Sequence, residues 1–478
     1  MDRRTKIVAT IGPACDEPEA LRSLVEAGMD VARLGFAHGP PEEHLERLRR
    51  VRAAAADCGR AVGVLADLPG PKIRTGPFPE GGGVVVVVGD RVHLIPGDGP
   101  SGNAAITVDY PSLLEDLMVG DQVALGDGAV VLEVEEVGLA GAVAVVHNGG
   151  WLQGRPGLHL PAERLRVSSP TPSDLELLGV VTAAGFDMVA ISFVQTADDI
   201  RRARAAAGPN GPMIVAKIET RAAVEHLTEI IDVTDAVMIA RGDLGVECAI
   251  EEVPHLQKHI IRTCVAWGCP VITATQMLES MVHAPTPTRA EASDIANAVF
   301  DGTDALMLSA ETAIGQEPAN AVRTMAKIAT RAEKEADYVQ WGARLGKLQR
   351  LEQLPGSLAI TAAISKAAWQ VAQSVEPAAI LCCTRTGATA RTIARFRPTA
   401  PLIGLSPDPV TTRQLTLTWG LLPITVPEYT TTDDIVWFAV ERAYKMGVVH
   451  QGDTVVVLAG NPADSDPISD DLRVIRVR

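Results

Sequence analysis

The sequence predicts an α/β fold: a (β/α)8 barrel with an inserted small all-β domain and a C-terminal α/β domain. Three observations lead there. Short apolar runs alternate eight times with helical patterns, which fits a closed TIM barrel better than an open sheet. Roughly 120 residues without a helical pattern separate the third run from the fourth, far beyond an ordinary connection. After Gly342 a second alternation of strands and helices begins.

The eight predicted strands are Lys6–Ile11, Asp30–Phe36, Ala61–Asp67, Met188–Val194, Met213–Glu219, Ala236–Ala240, Pro270–Thr275 and Ala305–Ser309. Helical segments fall between most of them: Glu17–Ala27, Pro41–Cys58, Ala197–Ala207, Glu252–Trp267 and Arg289–Phe300. Pro and Asp, Ser or Thr near several starts mark helix N-termini. The long gap holds short Val-rich runs, glycine clusters at 81–83 and 149–150, and Gly-Asp-Gly at 126–128. That is the pattern of a small β domain inserted into a loop. In a barrel this loop lies on the catalytic face, where the insert can act as a lid. In the last part, Leu358–Val375 reads as an Ala-rich helix. Ala378–Thr384, Pro401–Leu405, Leu422–Thr425 and Thr454–Ala459 read as strands. The expected division is 1–68 and 168–342 for the barrel, 69–167 for the insert and 343–478 for the C-terminal domain, which is thus about 135 residues.

Composition narrows the function. The chain has 478 residues, 47% apolar and 4% aromatic, with a formal net charge of −16. That charge argues against a general nucleic-acid or membrane-surface binder. A local basic site for a small anionic substrate stays compatible with it. The seven cysteines include no Cys-x-x-Cys, and Cys382 and Cys383 are adjacent, so a reduced, cytoplasmic setting is expected. No signal peptide is read at the start, and the longest apolar runs, Ala378–Cys383 and Ile435–Val440, are too short to span a bilayer.

The carboxyl ends of barrel strands build active sites. Strand two ends in Arg33, followed by Gly35-Phe36-Ala37-His38, and strand three ends in Asp67, followed by Lys72 and Arg74. Strand four gives Ser192, strand five Lys217 and Glu219, strand six Gly242 and Asp243, strand seven Thr275 and Gln276, and strand eight Glu311. Lys217 and Glu219 are two apart, so they share a strand face. An internal ion pair is the plain alternative for those two alone. Asp243 in the next unit favours function, because a cation and two carboxylates can hold a divalent metal and an anionic substrate together. Arg33 alone could pair with any carboxylate, Thr275 could be a turn residue, His38 a surface histidine, and Glu279 and Glu311 could orient neighbours. No zinc spacing, Ser-His-Asp arrangement, Walker-type loop or Gly-x-Gly-x-x-Gly fingerprint is present.

Eight strings carry a resemblance. They are TKIVATIGPA (5–14), AGMDVARLGFAHG (27–39), GPKIRTG (70–76), IVAKIET (214–220), MIARGDLGVE (238–247), ATQMLESM (274–281), PTRAEASDIANAV (287–299) and DALMLSAETAIG (304–315). On these the chain resembles the pyruvate kinase family over almost its whole length, more weakly in the insert and at the extreme C-terminus. The resemblance implies conversion of phosphoenolpyruvate and ADP to pyruvate and ATP in glycolysis. It places Mg2+, with Mn2+ as the alternative, on Glu219 and Asp243. Lys217 would stabilise the phosphoryl group in flight, and Arg33 would hold the substrate phosphate. Gly242 and Thr275 would contact the substrate carboxylate, with Asp243 and Ser192 beside it. Arg74, His38, Thr10 and Pro13 would face the nucleotide. A homotetramer is expected.

Three departures qualify the likeness. Where many members hold potassium, this chain has Gly35, Ala37, Asp67 and Leu68, and Lys72 stands where a Glu is usual. Two side-chain oxygens are lost and one ammonium is gained, so Lys72 is expected to replace the potassium charge and potassium is not expected to be required. Ser173 stands where a nucleotide-loop Lys is common. Finally, Thr384, Arg385, Thr386, Gly387 and Thr389 in TRTGATA resemble the family's effector loop and suit an anion. The C-terminal loop at 460–471 is rich in Asp, which disfavours a bisphosphate and leaves a sugar monophosphate or AMP as the expected effector. Two other readings stay open: a metabolite-binding relative with little activity, and a barrel lyase of enolate chemistry.

Overall fold

The computed structural model describes residues 3–71, 73–79, 83–126, 128, 130–160, 169–348, 356–461 and 469–478. Lys72, Asp464 and Asp466 of the Asp-rich loop, and the return segment at 161–168 therefore lie outside the described residues.

Eight parallel strands close into a barrel: Lys6–Thr10, Val31–Gly35, Gly63–Asp67, Met188–Ile191, Met213–Ile218, Ala236–Ala240, Val271–Ala274 and Ala305–Leu308. They are called strands one to eight in this order. Strand one pairs with strand eight, Lys6 opposite Ala305, which closes the ring. All eight expected strands are present, most of them within one or two residues at each end. Their Val/Ile/Leu/Met content follows from burial on both faces.

Side-chain parity explains both the core and the site. Val8, Val31, Leu65, Met188, Ala190, Met213, Val215, Ala236, Met238 and Ile272 form the packed interior. Two residues further along the same faces stand Arg33, Asp67, Ser192 and Lys217. The inner face is thus apolar through the middle and polar at the carboxyl end. Leu417 of the C-terminal domain joins this interior cluster.

At the other end, an aspartate precedes each even-numbered strand and clamps its odd-numbered neighbour. Asp30, Asp187, Asp235 and Asp304 accept the backbone N–H of Ile7, Val64, Ile214 and Val271 at 2.9, 2.9, 2.8 and 3.0 Å. Each also meets arginine: Arg3 at 2.8 Å from Asp30, Arg52 and Arg413 at 2.9 and 2.8 Å from Asp187, Arg204 at 2.8 Å from Asp235, and Arg397 at 3.0 Å from Asp304. Arg413 and Arg397 belong to the C-terminal domain, so these pairs also bind that domain to the barrel.

The outer helices occur where the pattern places them, including Pro18–Ala27, Pro41–Asp57, Ala197–Ala207, Val253–Trp267 and Arg289–Asp301. The Thr288–Glu291 start is a reciprocal capping box. The insert contains a six-stranded sheet and a two-stranded sheet, with a core of its own around Val92, Leu94, Ile106, Val123 and Leu132. The C-terminal sheet has five strands rather than the four expected. Its parallel strands Leu421–Thr425, Leu402–Ser406, Ala379–Cys383 and Thr454–Ala459 lie in that spatial order. Asp471–Arg476 then adds an antiparallel edge, and its alternating charges had hidden it. No helix among the described residues is long and apolar enough to cross a membrane. The seven cysteines are all unpaired.

Candidate active site

The carboxyl end of the barrel gathers a bonded cluster from strands one to five. Arg33 Nε donates to Asp67 Oδ2 at 2.7 Å, and its Nη1 donates to Thr10 Oγ1 at 3.0 Å. Lys217 Nζ lies 2.7 Å from Ser192 Oγ, 2.8 Å from Glu219 Oε1 and 3.3 Å from Asp67 Oδ1. Ser192 Oγ donates to the Leu68 carbonyl at 2.7 Å. The second Glu219 oxygen accepts the Phe193 N–H at 2.6 Å.

Charge is shared unevenly here. Burial opposes the Lys217 ammonium, but Asp67, Glu219 and Asp243 outweigh it and hold the group above lysine's ordinary pKa. Burial likewise opposes the Asp67 carboxylate, yet Lys217 and Arg33 hold its pKa below the usual range. Glu219 is fully buried. Burial pushes its carboxyl upward, Lys217 pulls it back, and Asp243 adds repulsion. An added cation beside Glu219 would offset this burial.

Strands six and seven supply a second group. Asp243 sits in the first turn of a short helix, Arg241–Glu247, that directly follows strand six. The Gly242 N–H donates to Thr275 Oγ1 at 2.8 Å, and that hydroxyl donates to the Ala274 carbonyl at 2.6 Å. Thr275 and Gln276 have φ of 68° and 54°, and Phe193 after strand four has 54°. Left-handed backbone at non-glycine residues costs on the order of 1–3 kcal/mol each and persists only where neighbours enforce it. For Thr275 and Gln276 the enforcing neighbour is Arg241, which the sequence reading missed. Its Nη2 donates to the Thr275 carbonyl at 2.6 Å while its Nη1 meets Asp294 at 2.7 Å. An arginine placed directly after a barrel strand was the available signal.

The other expected residues are placed as follows. Glu311 is fully buried and accepts the Leu278 and Ser309 N–H groups at 3.0 and 2.6 Å, so it orients the loops after strands seven and eight. Thr10 braces Arg33 and donates to the Leu308 carbonyl at 2.8 Å. Pro13 is exposed after strand one, and His38 is exposed after strand two, its carbonyl accepting from His44 Nε2 at 2.7 Å. Arg74 lies at the start of the insert, bridged to Gly157, with Nη1 donating to the Arg155 carbonyl at 3.2 Å. In the C-terminal domain, the Gly387 N–H donates to Thr384 Oγ1 at 2.9 Å, and Thr389 is hydrogen-bonded to Ser469. Thr384, Arg385 and Thr389 line an open cavity together with Tyr429 and Ile435.

The donor set fits a hard divalent cation. Glu219 Oε1 is buried and faces only an ammonium at 2.8 Å, with no well-aligned hydrogen bond among the described residues. Mg2+ takes one or two protein carboxylates and completes its shell with water and substrate oxygens. Glu219 and Asp243 match that pattern, and no larger His/Cys/Asp/Glu cluster exists among the described residues.

Comparison with known proteins fixes the class. A family model described as pyruvate kinase, barrel domain, matches residues 2–322, and one described as pyruvate kinase, alpha/beta domain, matches 362–475. The protein is a phosphotransferase. The chain is 41% identical over 467 residues to pyruvate kinase of Geobacillus stearothermophilus, covering 97% of this chain and 78% of the relative. It is 38% identical over 476 residues to that of Clostridium acetobutylicum, covering 99% of both. It therefore belongs to the pyruvate kinase family.

Proposed function

We propose that this chain transfers the phosphoryl group of phosphoenolpyruvate to ADP, giving pyruvate and ATP, with Mg2+ held by Glu219 and Asp243. The observation that carries this reading is the bonded set Arg33, Asp67, Ser192, Lys217 and Glu219 beside Asp243 and Thr275. The cation, when bound, supplies Lewis-acid charge to the oxygens of the reacting group. Arg33, fixed by Asp67 and Thr10, holds the substrate phosphate. Lys217, kept protonated by three carboxylates, neutralises the phosphoryl group as it moves. Together they balance a phosphate carrying about two charges. The Gly242 N–H and Thr275 hold the substrate carboxylate, and Thr275 stands beside the enolate carbon that takes up a proton. Arg74, His38, Thr10 and Pro13 face the nucleotide.

The finer reading is that no potassium is needed, because Lys72 supplies the charge. Its support is the loss of side-chain oxygens at Gly35 and Ala37. It is strengthened by the engagement of Asp67 with Arg33 and Lys217, and of the Leu68 carbonyl with Ser192. The cavity lined by Thr384, Arg385, Thr389 and Tyr429 is compatible with a sugar monophosphate or AMP as effector.

The test is pyruvate formation from phosphoenolpyruvate, ADP and Mg2+ in buffer free of potassium and ammonium. Full turnover there is the expected result. Turnover only after potassium is added overturns the role of Lys72 and keeps the reaction. Silence of the folded protein in both buffers, with effectors tried, moves the reading to a metabolite-binding relative.

A further inference from the structure

His159 belongs to the insert yet reaches the barrel. It lies on the two-residue strand Leu158–His159, paired with Leu125 and Ala124. The Leu158 N–H donates to the Ile73 carbonyl at 2.9 Å, which fixes the strand to the stem of the insert. His159 is 7% exposed although it borders the cleft between insert and barrel. Its Nε2 is 3.9 Å from Asp243 Oδ1. The same cleft is lined by Gln122, Ala124 and Gly128 of the insert and by Gly242, Gly245 and Val246 of the short helix. The insert therefore faces the helix that carries Asp243 across this cleft.

We propose that His159 is a positioning residue whose imidazole donates to Asp243 Oδ1 as the insert closes, orienting that carboxylate for the divalent cation. A separation of 3.9 Å is too long for a hydrogen bond, and a closing movement of about 1 Å makes it one. Carboxylates that bind metals are held in register by such outer partners, whose removal costs about 10- to 100-fold in metal affinity or activity. This partner is carried by the lid, so its contact ties lid closure to metal geometry. The inference rests on the assignment of Glu219 and Asp243 to the metal.

Mn2+ binding to the full chain, measured with phosphoenolpyruvate present and ADP absent, reads this without turnover. His159→Leu fills the space without a donor, and His159→Gln keeps a donor at the Nε2 position. His159→Leu is expected to weaken Mn2+ binding about tenfold, to raise the Mg2+ concentration for half-maximal activity in parallel, and to leave the thermal midpoint near wild type. His159→Gln is expected to restore most of both. Unchanged Mn2+ affinity in His159→Leu overturns the proposal, as does failure of a stably folded His159→Gln to recover it. Glu219→Gln separates the two levels. If it binds Mn2+ as tightly as wild type, the metal assignment fails and this inference falls with it. If it loses Mn2+ while His159→Leu does not, only the role of His159 falls.

Discussion

The two ends of the barrel both bury charge and use it in opposite ways. At the amino end, Asp30, Asp187, Asp235 and Asp304 each hold a backbone N–H and an arginine. Their oxygens are spent on tying strands together and on docking the C-terminal domain. At the carboxyl end, Glu219 faces one shared ammonium, Lys217 is divided among three carboxylates, and three non-glycine residues sit in left-handed backbone. The aspartates of the amino end are each paired, and breaking such a pair is costly. At the carboxyl end the pairing of Glu219 is incomplete, and under the proposed reading a divalent cation completes it. Leaving a buried charge short of partners is costly, so incomplete pairing kept in place by a rigid frame marks the working end.

The comparison is tested most strongly by Lys217→Met, which should lower kcat about 1000-fold, the scale for losing a preorganised charge that acts in the transition state. A smaller than tenfold loss in steady-state kinetics would place the chemistry elsewhere. At the opposite end, Asp187→Ala strands Arg52 and Arg413 and should cost about 3 kcal/mol of unfolding free energy, while kcat of the folded enzyme stays within a few-fold. Denaturant titration beside kinetics checks it, and a large kcat loss at full stability would erase the contrast.

Lys6 sharpens the same end. Burial lowers its pKa to about 8, against the opposing pull of Asp30, with Arg3 and Arg60 adding to the drop and Glu333 opposing it. The folded state thus releases this proton before the unfolded state does. Between about pH 8 and the ordinary value of 10.5 the unfolded chain binds more protons, so this group makes stability rise with pH. The rise is on the order of 2 kcal/mol across that window. Lys6→Met should remove it, and urea unfolding at several pH values measures the difference. The smallest effect expected is that of Lys72→Glu. Under the proposed role of Lys72, reversing this one charge should reduce turnover about tenfold, and added potassium should not rescue it because Gly35 and Ala37 offer no side-chain oxygen.

Much of the frame was legible because its signals are local. Each barrel strand is an apolar run bounded by turn residues, and the gap of roughly 120 residues announced the insert. Lys217 and Glu219 shared a face by simple alternation, and Arg33 and Asp67 stood at strand ends. The fifth strand of the C-terminal sheet escaped because an exposed edge with charged side chains lacks that apolar run.

By itself, then, the sequence determined the order of elements, the side-chain parity within each strand and the family resemblance. Residues near one another along the chain fix these. Tertiary structure decided what spans the ring: Asp67 shared between Arg33 and Lys217, Arg241 holding the Thr275 turn, and Gly242 bonded to Thr275 from 33 positions away. It also decided that His159 of the insert faces Asp243 of the barrel. Such contacts join residues far apart along the chain that meet only when strands pair and the insert folds beside the barrel, so no local pattern encodes them.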